Sequence, residues 1–107
     1  MRRVWLGVTL AALLVLSDRA GASSDHRVEQ KNKAFSVAML VIKPGDRVTF
    51  TNDDDTTHSL FFDKHSDLTL KRQEPGSSLS VSFNNPGMYE VRCNFHAKMK
   101  LMVVVKN

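Results

Sequence analysis

Residues 78–83 alternate strictly between small polar and large apolar side chains. Leu79, Val81 and Phe83 fall on one side and Ser78, Ser80 and Ser82 on the other. Side chains of a strand point alternately to opposite faces, so this run suits a half-buried strand and not a helix. The same period recurs along the chain. Val48 and Phe50 alternate with Arg47, Thr49 and Thr51, Tyr89, Val91 and Cys93 alternate with Glu90 and Arg92, and His58, Leu60 and Phe62 share a face. Proline and glycine punctuate these runs at 43–46, 74–77 and 84–87. In such turns proline presets φ and glycine supplies a positive one. Residues 101–105 are continuously apolar, as in a strand covered on both sides. Residues 23–30 are polar and read as a loose lead-in, and a short helix is suggested only over 65–70. Short strands with tight turns predict an all-β sandwich or barrel of antiparallel strands.

The N-terminus reads differently. Met1-Arg2-Arg3 is followed by 13 uncharged residues from Val4 to Leu16, then by Ala20-Gly21-Ala22. A basic start, an apolar stretch and a small-residue cleavage motif predict a secretory signal peptide over 1–22 and a mature domain over 23–107. As a helix the apolar stretch would reach about 20 Å, short of the ~30 Å hydrocarbon core, so no membrane span is expected. Loss of the leader removes Arg2, Arg3, Arg19 and Asp18, leaving 12 basic against 10 acidic residues. That near balance argues against a nucleic-acid binder, which needs many clustered cations. The expected location is periplasmic or secreted.

Export gives weight to the single cysteine, Cys93. One thiol cannot close an internal disulfide. A buried inert thiol, an intermolecular disulfide and a metal ligand remain open for it. Its neighbours point to the last. Cys93, His96 and Met99 stand at intervals of three between two strand-like runs, where a tight loop could turn them toward one point. His58, by its parity with Leu60 and Phe62, faces the same interior. A thiolate, two imidazoles and a thioether form a soft mixed set, the combination of a blue-copper electron-transfer centre. Zinc gains little from a thioether and cannot change oxidation state. Met102 is a rival to Met99 for the axial position.

The pattern Cys93-x2-His96-x2-Met99 with His58 upstream resembles the cupredoxins of the plastocyanin/azurin group. The short ligand loop is most similar to the amicyanin-like, methylamine-utilisation type of blue copper protein. Residues 41–50 and 86–93 also resemble segments of that family, and the likeness covers about 28–106. It implies a Greek-key β-sandwich holding one type 1 copper ion. His58, Cys93 and His96 would be its strong equatorial ligands and Met99 its weak axial one. Two positions depart from the pattern. Ala97 replaces a frequent proline, and Ser59 replaces a frequent asparagine whose side chain helps tie the ligand loops.

The expected activity is single-electron transfer by Cu(II)/Cu(I) cycling in a non-enzymatic monomer. Its partner would be a c-type cytochrome or a periplasmic dehydrogenase, met in a small transient interface. Phe95, Ala97 and Met99 would form an apolar port around His96. The acidic run Asp53-Asp54-Asp55 reads as a solvated loop or a patch for a basic partner. The alternative function is copper storage or delivery, with Met99, Met102 and His96 capturing the ion. A Cys93 nucleophile with a histidine base is a third reading, but no oxyanion-hole or substrate-pocket motif accompanies it.

Overall fold

A computed structural model describes residues 23–63, 70–94 and 96–107. Nine strands occur among them: β1 (Asp25–Lys31), β2 (Ala34–Phe35), β3 (Met39–Ile42), β4 (Asp46–Asn52), β5 (His58–Phe62), β6 (Lys71–Gln73), β7 (Ser78–Phe83), β8 (Gly87–Cys93) and β9 (His96–Val105). They form a four-stranded sheet, β2-β1-β4-β7, and a five-stranded sheet, β3-β9-β8-β5-β6.

The inward faces follow the alternation. Val28, Phe50 and Val81 of the first sheet meet Leu60, Val91 and Val103 of the second, all essentially without solvent contact. Edge-to-face aromatic pairs bridge the layers. Phe50 packs on Phe62 at 5.5 Å between centroids and Phe83 on Tyr89 at 5.3 Å, a geometry that adds to plain area burial.

The sandwich expected from the sequence is present, but not all its pairings are antiparallel. β1 runs parallel to β4, and β3 parallel to β9. The reason is topological: the chain leaves the first sheet after β2, lays β3 on the second, and returns to place β4 beside β1. Residues 25–31, expected as a loose lead-in, form β1. Its inward positions are His26, Val28 and Gln30, so only one is apolar and the alternation is masked. Residues 101–105 are covered on one face only. Leu101, Val103 and Val105 are buried, while Met102 and Val104 are half-buried on the outer face. The helix suggested over 65–70 falls, apart from Leu70, outside the described residues.

The β1–β2 turn places Asn32 and Lys33 at φ 54° and 57°. Two successive positive φ values are the two-residue hairpin turn whose twist matches that of the strands.

Candidate metal centre

Three strand ends meet at one end of the sandwich. His58 opens β5 and is fully buried, Cys93 closes β8 with 3% exposure, and His96 opens β9 half-buried. Cys93 Sγ lies 3.4 Å from His58 Nδ1 and 3.5 Å from His96 Nδ1. The three donor atoms lie within 4.8 Å of one another. Such separations fit donors around one ion bonded at about 2.0–2.3 Å. The two imidazoles pack edge to face at 5.2 Å.

The local backbone accounts for the convergence. Leu60 pairs with Cys93 across β5–β8, so His58 sits two residues beyond that pair on the same face. β9 restarts at His96, directly opposite Cys93, sooner than the loop expected through Met99. A register shift follows between Arg92 and Cys93. In a regular strand His96 and Met99 would point to opposite faces. A bulge re-aims side chains at such a point, and Met99 is buried with 1% exposure. Met102 lies on the outer face, where β9 pairs it with Glu90 on one side and Met39 on the other. Met99 and Met102 therefore face opposite ways and do not form a joint capture site with His96. Met99 is no part of an exposed apolar port either. Phe95 lies outside the described residues, and the exposed residues that follow His96 on its strand are Lys98 and Lys100.

The ring of His58 is held from behind. Its Nε2 lies 2.9 Å from Asp54 Oδ2. With the Nε2–H donating to that carboxylate, Nδ1 is left with a free lone pair toward Cys93, the arrangement that orients a metal-binding histidine. Asp54 also accepts from the backbone N–H groups of Asn32 at 3.1 Å and Lys33 at 2.9 Å. The Lys33 N–H first, then His58 and the Asn32 N–H, hold its carboxyl down at about 2 despite partial burial. Asp54 is thus committed inside the molecule, and only Asp53 and Asp55 of the acidic run remain exposed. The role of Asp54 was hidden in the sequence because three identical residues carry the same signal, and only the fold distinguishes the middle one.

A buried amide layer supports this loop. Asn52 Nδ2 donates to Thr56 O and Gln73 O, both at 2.9 Å, and its Oδ1 accepts from the Asp54 N–H at 3.0 Å. Gln30 Nε2 reaches Gln73 Oε1 at 2.8 Å. The tie between the ligand segments is a backbone one: Asn94 N–H donates to Ser59 O at 2.8 Å. No side chain is needed at position 59 for that bond.

The cupredoxin-like domain family matches residues 4–105. A protein of Rhizobium leguminosarum bv. viciae, provisionally named pseudoazurin, is 30% identical over 92% of this chain and 70% of its own length. Amicyanin-alpha of Methylorubrum extorquens strain AM1 is 28% identical over 89% of this chain and 82% of its own. Among solved structures, a purple cupredoxin from Nitrosopumilus maritimus superposes with a TM-score of 0.67 at 22% identity, covering 76% of this chain and 99% of that one. A reduced Cu(I) form of an amicyanin variant gives 0.69 at 24% identity, covering 85% and 86%. The chain belongs to the cupredoxin-like family.

Proposed function

We propose that this cupredoxin is an exported type 1 copper protein that carries single electrons between redox proteins. His58, Cys93 and His96, together with Met99, would hold the copper ion. The observation that carries this reading is the convergence of one sulfur and two imidazole nitrogens from three separate strand ends. Copper bound there supplies one-electron exchange between Cu(II) and Cu(I), and the thiolate and thioether favour the reduced ion while imidazole suits both.

The protein's own residues do the rest. Asp54 fixes the His58 tautomer, and complete burial of His58 keeps water from that side of the centre. Strand ends tied by backbone bonds hold one donor geometry in both oxidation states. His96, half-buried, is the ligand through which an electron leaves or enters. The partner is a c-type cytochrome or a periplasmic dehydrogenase, docked briefly over that rim.

The test is the visible spectrum of the protein loaded with Cu(II). An intense thiolate-to-copper band that vanishes on reduction is expected, and its absence refutes the reading. Cys93→Ser abolishes the band, whereas Met99→Leu keeps it and shifts the reduction potential.

A further inference from the structure

The sequence contains five methionines. Met1 lies outside the described residues and Met99 is buried at the centre's end of β9. The other three, Met39, Met88 and Met102, all fall on the outer face of the five-stranded sheet. Parallel pairing of β3 and β9 sets Met39 directly beside Met102. Antiparallel pairing of β8 and β9 sets Met88 beside Val104, so Met88 is the diagonal neighbour of Met102. Diagonal neighbours in a sheet lie within reach of long side chains.

Core packing does not explain this trio. Met39 is 58% and Met88 53% exposed, and Met102 is half-buried. On the same face Val41 and Val104 lie beside the trio, and further along the outward residues are Glu90, Arg92, Lys100 and Phe61. The thioethers are unbranched, with three rotatable bonds each, and can converge over Met102 without backbone change. They are neutral, soft donors, which favour Cu(I) over zinc, calcium or magnesium. The carboxylate beside Met102, that of Glu90, lies 3.4 Å from Arg92 Nε.

We propose that Met39, Met88 and Met102 form a second, solvent-facing site for a soft monovalent ion, chiefly Cu(I). The site is separate from the buried centre: it lies on the opposite face of β9 and uses none of the same residues.

The experiment titrates Ag(I), a redox-silent probe, into copper-loaded protein carrying 13C-methyl methionine. One equivalent is expected to shift the methyl signals of Met39, Met88 and Met102 and to leave the visible band unchanged. Met39→Leu/Met102→Leu preserves apolar area and should weaken that equivalent at least about tenfold, as expected for loss of directed soft-donor bonds. The same titration on Cys93→Ser protein removes the thiolate of the first centre. A failed copper centre and a failed thioether site are then told apart. Methyl signals unmoved by stoichiometric Ag(I) overturn the proposal. So does binding that survives the double leucine variant, which would mark the patch as an apolar contact face only.

Discussion

Asp54 links a hairpin turn to a buried imidazole through one carboxylate. Substituting Asp54→Ala removes a negative charge next to the centre and leaves His58 Nε2 without its acceptor. Three charge-assisted hydrogen bonds are lost, and the apoprotein is expected to lose about 2–4 kcal/mol in urea unfolding. In the copper-loaded protein the reduction potential should rise, because the carboxylate favours the more highly charged ion. A tenfold change in the affinity ratio corresponds to about 59 mV for one electron. Asp46 offers a second residue-scale test, away from the metal. Its buried carboxylate accepts from Ser24 N–H and Lys43 N–H and lies 3.0 Å from His26 Nε2. The Ser24 N–H first, then His26 and the Lys43 N–H, lower its pKa from 3.8 to about 2. The folded value lies below the unfolded one. The stabilisation is therefore complete above about pH 4 and is lost as pH falls toward 2. Asp46→Asn should flatten the acid limb of the stability curve, as read by urea midpoints between pH 2 and 5.

At the scale of elements, the sequence announces strands whose inward residues are apolar and conceals those whose inward residues are not. Ser78–Phe83 reads without ambiguity because Val81 and Phe83 stand against serines. β1 escapes because a histidine and a glutamine occupy two of its three inward positions, and both find hydrogen bonds that only the folded sheet provides. The cluster of His58, Cys93 and His96 was legible for a similar reason. The types and spacing of Cys93, His96 and Met99 carry chemistry directly, and the parity of His58 aims it inward. The register shift that starts β9 opposite Cys93 leaves no comparable mark in the residues. The β1–β2 hairpin yields a direct prediction. Lys33 holds a left-handed conformation that costs a non-glycine residue about 1 kcal/mol or more. Lys33→Gly would create the Asn-Gly pair favoured in such turns. It should raise the urea midpoint by an amount equivalent to about 0.5–1 kcal/mol with an unchanged m-value.

For the molecule as a whole, charge and metal set the observable behaviour. The exposed Lys98 and Lys100 follow His96 on β9, so an anionic reagent should approach the proposed port at His96 faster than a cationic one. Oxidation of the reduced protein by hexacyanoferrate(III) is expected to slow several-fold in Lys98→Ala/Lys100→Ala and at high salt. A cationic cobalt(III) complex should show no such loss. Copper binds the folded state, so its removal should lower Tm. At free copper 1,000-fold above Kd the difference is about 4 kcal/mol, measurable by calorimetry with and without a chelator.

Strand β9 is the last of the described strands, yet it lies between β3 and β8, inside the larger sheet. Its first residue is His96, and its parallel partner β3 comes from more than fifty residues upstream. A chain that has not yet added β9 can therefore assemble neither that sheet nor the donor cluster at the ends of its inner strands. Metal insertion should then follow assembly of the sheet, and a chain cut within His96–Val105 is expected to lose colour and folding together.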